Sequence, residues 1–207
     1  MNESTFEYKG VEITFLKHAG FKIKGKNITI YIDPYEVPKM ERADIILVTH
    51  EHFDHMDVKS IKNLADKDTV VVYPQGSYIE GYKTVEVKEG DRVEIKGVKI
   101  EVVPAYNIDK PFHKRGLGVG YIVEVDGVRI YHAGDTDRIP EMKEIEVDIA
   151  LLPIGGTYTM NVKEAVEAAK DIKAKYYIPM HYGVIPNTEA DPNEFKVEGA
   201  IILKPLL

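Results

Sequence analysis

Thr49-His50-Glu51-His52-Phe53-Asp54-His55 sets four metal-ligating side chains into six residues, directly after the apolar run Asp44-Ile45-Ile46-Leu47-Val48. That run is short, β-branched and continuous, the pattern of a strand buried on both faces. The ligands then fall on the loop leaving the strand's carboxyl end. In an extended chain residues two apart project to the same side, so His50 and His52 can offer both imidazoles to one cation. A turn at Asp54-His55 aims the next pair at a neighbouring cation. The motif reads as half of a two-metal site. The competing reading, a polar loop capping a helix that starts near Asp57, leaves this ligand spacing unexplained.

The motif resembles the H-x-H-x-D-H signature of the metallo-β-lactamase-fold hydrolases, and further matches follow in order along the chain. Val128-Arg129-Ile130-Tyr131-His132-Ala133-Gly134-Asp135-Thr136 is similar to that family's strand ending in G-D-T, whose Asp bridges the metals. Tyr176-Tyr177-Ile178-Pro179-Met180-His181-Tyr182-Gly183 is similar to the late strand ending in the last His ligand. Phe15-Leu16-Lys17-His18-Ala19-Gly20-Phe21, followed by Ile32-Asp33-Pro34, resembles the opening of a small stand-alone branch. That branch includes ascorbate-phosphate-lactonase-like and N-acyl-phosphatidylethanolamine-phospholipase-like enzymes.

One element departs from the pattern. Where the family places a His at the end of a further strand, Val98-Lys99-Ile100-Glu101-Val102-Val103 runs into Pro104-Ala105-Tyr106-Asn107. Depending on register, Tyr106 or Asn107 takes the ligand position. Neither is a normal replacement: an amide oxygen binds zinc poorly, and Tyr must lose a proton of pKa about 10. The His50/His52 site is then one ligand short. His113, six residues past Asn107 in a Pro- and Gly-containing loop, can fold back to supply the nitrogen. Beside Lys114 and Arg115 it can equally face solvent or bind an anionic substrate group.

The other ligands can be argued from the residues themselves. Asp135 follows a strand and precedes a turn, so its carboxylate projects from a strand end; a turn-forming Asx is the plainer alternative. His181 also directly follows a strand-like run. With Asp54 and His55 these two complete a second site. His132, three before Asp135 on an alternating strand, reads as a buried, hydrogen-bonded histidine or a partner of a ligand. His18 is expected beside the pocket, and Asp33 is placed to hold the free ring N–H of a ligand His. Gly155-Gly156-Thr157-Tyr158 precedes a helix, so its amides could hold an anion and Tyr158 contact substrate; a loop with Thr159 as helix cap is the alternative.

At 207 residues the chain is expected to form one domain, 1–207, around one sizeable core. Its net charge of −7 offers no footprint for a nucleic-acid backbone. No apolar run is long enough for a bilayer and no leader is visible, so a cytoplasmic protein with a small-molecule substrate is expected, without membrane or nucleic-acid partners and compatible with a homo-oligomer. Cysteine is absent, which removes disulfides, thiolate ligands and cysteine nucleophiles. His and Asp donors suit Zn first, with Mn, Fe, Co or Ni also fitting.

Strands are read at Val11–Phe15, Asn27–Ile32, Thr69–Tyr73, Arg92–Ile95 and Gly97–Val103, with hairpin turns at Lys96-Gly97 and Asp126-Gly127. Helices are read from Asp57 to about Ala65 and from Asn161 to about Ile172, the second opening on a capping-box pattern. Two groups of strands with an outer helix in each half predict a four-layer αββα sandwich of two mixed sheets, α/β in class. The expected activity is metal-dependent hydrolysis, by metal-bound hydroxide, of a small ester, lactone, amide or phosphodiester, with Asp54 and Asp135 catalytic. A non-catalytic or regulatory metal-binding protein with an impaired first site is the alternative, and di-iron redox chemistry is a third class.

Overall fold

The computed structural model describes residues 2–207. Alternating and β-branched segments build thirteen strands in two sheets among these residues. The first sheet runs, in spatial order, β1 (Thr5–Tyr8), β2 (Val11–Lys17), β3 (Gly20–Lys24), β4 (Thr29–Ile32), β5 (Ile45–Leu47), β6 (Val70–Pro74) and β7 (Lys83–Val87). β1 to β4 pair antiparallel and β4 to β7 parallel. The second sheet holds β8 (Arg92–Ile95), β9 (Val98–Ala105), β10 (Gly118–Val125), β11 (Val128–His132), β12 (Ile149–Pro153) and β13 (Tyr176–Met180), again neighbours in sequence order. β8 to β11 pair antiparallel, whereas β11, β12 and β13 are parallel.

Side-chain alternation sorts the apolar residues into layers. Ile45 and Leu47 of β5 join Ile149 and Leu151 of β12 in the core between the sheets. Ile46 of β5 and Val48 beyond it point the other way, onto Ile61 and Leu64 of helix α1 (Val58–Leu64). Ala150 and Leu152 of β12 point outward onto Ala165, Ala168 and Ala169 of helix α2 (Val162–Asp171). A strand apolar on both faces is thus required wherever a helix covers the sheet, and the result is the expected αββα order. Among the described residues no helix is long and apolar enough to cross a membrane.

The local signals act as read. Lys96-Gly97 and Asp126-Gly127 both have positive φ, the two-residue turn that matches strand twist. At α2 the Asn161 side chain accepts from the Glu164 amide at 2.8 Å, and Glu164 Oε1 accepts from the Asn161 amide at 3.0 Å. The cap is therefore Asn161 and not Thr159, whose hydroxyl donates to the Met160 carbonyl.

Candidate metal centre

Strand ends and turns from both sheets deliver the site. The chain leaves β5 through Thr49 and turns where the amides of His55 and Met56 both donate to the His52 carbonyl, at 2.9 and 2.8 Å. His18 sits in the β2–β3 turn, Asp33 just past β4, Asp135 past β11 and His181 directly past β13. His18, Asp33 and His181 all adopt left-handed backbone, φ 59°, 45° and 57°. Non-glycine residues hold that conformation only where their surroundings fix it. Here the His181 amide donates to the His18 carbonyl at 2.7 Å, locking the two together. Gly134, before Asp135, has φ 67°, and a Cβ there would lie 2.7 Å from the Val119 carbonyl oxygen, so this turn admits only glycine.

Two donor clusters result. His50, His52 and His113 form one, and His18, Asp54, His55 and His181 the other; within each, donor atoms lie within 4.8 Å of one another. Asp135 stands between them. Its Oδ2 is 3.4 Å from His50 Nε2, 3.1 Å from His55 Nε2, 3.1 Å from His113 Nε2 and 3.2 Å from His181 Nε2. These four Nε2 atoms and Asp135 Oδ1 are buried and make no aligned hydrogen bond. Convergence of unpartnered nitrogens on one carboxylate is the donor set of a metal site, since buried polar groups otherwise find partners. The residues fit divalent cations, with only nitrogen and oxygen donors.

For His55, His50 and His113 the far side of the ring explains why Nε2 points inward. His55 Nδ1–H donates to Asp33 Oδ2 at 2.7 Å. His50 Nδ1–H donates to Thr49 Oγ1 at 2.9 Å, and that hydroxyl donates to Asp33 Oδ2 at 2.6 Å. His113 Nδ1–H faces Asn107 Oδ1 at 3.0 Å and the Tyr158 carbonyl at 3.1 Å, both acceptors. Each partner fixes the tautomer that leaves the Nε2 lone pair free. Asp33, His50 and His55 also lie close enough to be read as a third cluster. Both Asp33 oxygens are already taken by Thr49 and His55, so this group supports the other two.

Electrostatics follow from burial. Removal from water lowers His50 to about 4; the same cause lowers His18 to about 4, against the opposing bond to Asp54 at 2.8 Å. Burial would raise Asp135, yet His181, His55 and His50 hold it well below the usual carboxylate range. Burial would lower His55, yet Asp135, Asp54 and Asp33 raise it well above the ordinary imidazole value. Burial thus favours neutral imidazoles at His18 and His50, beside Asp54 and Asp135 carboxylates held ionised.

Several expected residues find other places. Neither Tyr106 nor Asn107 joins a donor cluster. Asn107 instead accepts the His113 amide at 2.8 Å and donates to the Tyr158 carbonyl at 3.0 Å, so it anchors the histidine that completes the first cluster. His113 thus brings a third imidazole to His50 and His52, where the strand end itself lacks a His. Tyr106 turns away, its hydroxyl on Glu141 at 2.7 Å. His132 donates from Nε2 to the Ala19 carbonyl at 2.8 Å and accepts the Gly134 amide on Nδ1 at 3.1 Å, a satisfied buried histidine that braces the His18 turn. In the Gly155-Gly156 turn the Gly156 amide already donates to the Met160 carbonyl at 2.9 Å, so it is not free for an anion. Tyr158 does reach the site: it lines a cavity of about 270 Å³ over the centre with His52, Phe53, Asp54, Phe112, His113, Asp135, His181 and Ile185. Sequence reading passed over Thr49 and the anchoring role of Asn107; the bonds of Thr49 to Asp33 and of Asn107 to Tyr158 join segments apart in the chain, and the bond of Asn107 to His113 depends on how their loop folds.

A four-layer sandwich carrying a His/Asp cluster at strand carboxyl ends defines a class of metal-dependent hydrolases, and comparison with known proteins agrees. Residues 12–181 match the family described as the beta-lactamase superfamily domain. A UPF0173 metal-dependent hydrolase from Thermococcus onnurineus is 38% identical, over 94% of this chain and 97% of its own. A Parabacteroides distasonis protein described as a metal-dependent hydrolase has a crystal structure that superposes with a TM-score of 0.84 at 36% identity, covering 97% of each chain. Igni18, a metallo hydrolase from Ignicoccus hospitalis, superposes at 0.80 with 27% identity, over 94% of this chain and 95% of its own. The chain therefore belongs to the beta-lactamase superfamily and, within it, to the UPF0173 metal-dependent hydrolases.

Proposed function

We propose that the protein is a binuclear hydrolase, with His50, His52 and His113 holding one divalent cation, His55, His181, Asp54 and His18 surrounding the other, and Asp135 shared between them. The observation that carries this reading is Asp135 Oδ2 lying 3.1 to 3.4 Å from four otherwise unpartnered Nε2 atoms. Zn is the cation proposed, with Mn, Fe, Co and Ni compatible with the same donors. Bound cations of this kind supply an activated water and polarise a substrate oxygen. The substrate class is a small ester, lactone, amide or phosphodiester.

The chain's own residues have distinct tasks. Asp54 Oδ2, held by His18 Nε2 at 2.8 Å and 3.3 Å from His55 Nε2, is positioned to orient the attacking water and take its proton. The cavity offers no serine or cysteine nucleophile among its lining residues, which favours direct attack by water.

Elemental analysis of protein purified without chelator or nickel resin tests the reading. Two metals per chain are expected, falling to one in His113→Ala, with Asp135→Ala abolishing turnover while the fold is retained. A count of one or none, unchanged by His113→Ala, would overturn the binuclear assignment.

A further inference from the structure

The side chains of Phe53, Phe112, Tyr158 and Ile185 line the cavity but hold no part of the His/Asp cluster. Phe53 is 67% exposed and Phe112 40%. Large apolar groups left in water at the mouth of a polar centre call for a ligand that covers them. The Phe112 ring packs edge-on against Tyr158, centroids 4.7 Å apart, so the wall is preformed. Among the described residues no Lys or Arg lines the cavity. Of the three cations of the His113 loop, Lys114 is exposed and does not line the cavity, and the other two are engaged elsewhere. Lys110 pairs with Asp137, and Arg115 pairs with Glu89 at 2.8 Å and lies over the Tyr106 ring. Bound cations could hold one or two oxygens of a phosphate ester, but any further anionic oxygen would lie against this apolar wall with no guanidinium or ammonium donor to pair with it.

On the strength of the hydrolase reading above, we infer that the substrate is an uncharged carboxylic ester or lactone with a small apolar or aromatic acyl group, seated against Phe112, Tyr158, Phe53 and Ile185. The cavity of about 270 Å³ suits it. An apolar space of about 150 Å³ takes a benzene ring, which leaves room here for the ester group beside the centre. The reaction adds water across the acyl C–O bond: the water oxygen bonds to the carbonyl carbon, and the alcohol leaves with a proton.

The test uses the metal-loaded full chain with p-nitrophenyl esters from acetate to octanoate, and with p-nitrophenyl phosphate and bis(p-nitrophenyl) phosphate alongside. The expected kcat/KM rises roughly threefold to fourfold per added methylene until the pocket is full. Phe112→Ala flattens that slope through KM and not kcat, and Phe112→Leu restores part of it. A flat series, or faster cleavage of either phosphate ester, overturns the substrate class and leaves the hydrolase reading standing. Failure to turn over any of these compounds counts against the hydrolase reading; titration calorimetry with alkyl hydroxamates of rising chain length then judges the pocket alone. Tightening with length supports it, and constant affinity overturns it.

Discussion

Asn107 shows how a residue outside the donor set decides what the set can do. It stands where a ligand would be expected, yet its carboxamide grips both the backbone and the ring of His113, at 2.8 and 3.0 Å, and bridges to Tyr158. Replacing it by the similarly sized Leu keeps the volume and removes all three bonds. Outer-shell partners of this kind are worth roughly 10- to 100-fold in metal affinity, so Asn107→Leu is expected to weaken one of two binding events by that factor in a chelator-competition titration. Equal affinities in the two proteins would show that His113 is held by the loop alone. The closely spaced donors His50, His52, Asp54 and His55 were legible in the sequence because local spacing displays them. His18 was read only as a neighbour of the pocket. Its approach to Asp54 depends on a left-handed turn and on the His181 amide, contacts 36 and 163 residues away that no local pattern encodes.

At the scale of elements, legibility followed side-chain pattern. β5, β6, β9 and both helices announce themselves through apolar runs or caps. β10 shows only at its end, in the Asp126-Gly127 hairpin, because it carries Gly118 and Gly120, weak strand formers. Structure explains them: a Cβ on Gly118 would lie 2.9 Å from His50 Cβ, and one on Gly120 would lie 3.0 Å from the His132 carbonyl oxygen. β3 and β7 escaped too: β3 opens on Gly20 straight after the His18 turn, and β7 carries only two apolar residues, Val85 and Val87. The β4–β5 connection is tied down electrostatically. Glu41 accepts from Lys22 at 2.8 Å, from Lys24 and from Thr29, and these bonds lower its carboxyl to about 2. A folded-state value below the ordinary 4.5 gives stability that is present above about pH 4.5 and is lost as pH falls toward 2. Because the group is partly exposed, solvent screening holds the effect to about 1 kcal/mol or less, or roughly 2–4 °C in Tm. Glu41→Gln is expected to melt lower than the parent at pH 7, with the gap closing between pH 4.5 and 2. A gap that stays constant over that range would assign the loss to packing.

For the molecule as a whole, the centre lies on the seam between the sheets. His18, Asp33, His50, His52, Asp54 and His55 come from the first sheet and its loops, whereas His113, Asp135 and His181 come from the second. In the proposed binuclear form, the His50/His52/His113 set and the His55/His181 set each draw on both sheets, so each cation would staple them together. Binding to the folded chain alone adds about 2.7 kcal/mol per site when free metal is 100 times Kd. At roughly 2–4 °C per kcal/mol for a chain of this size, each site should raise Tm by about 5–10 °C. Scanning calorimetry of metal-saturated against chelator-treated protein is expected to show the sum of two such shifts, and His113→Ala only one. If both forms of the parent melt together while elemental analysis shows metal in one and none in the other, the two sheets are held by the apolar core between them, and the cations serve chemistry without joining the layers.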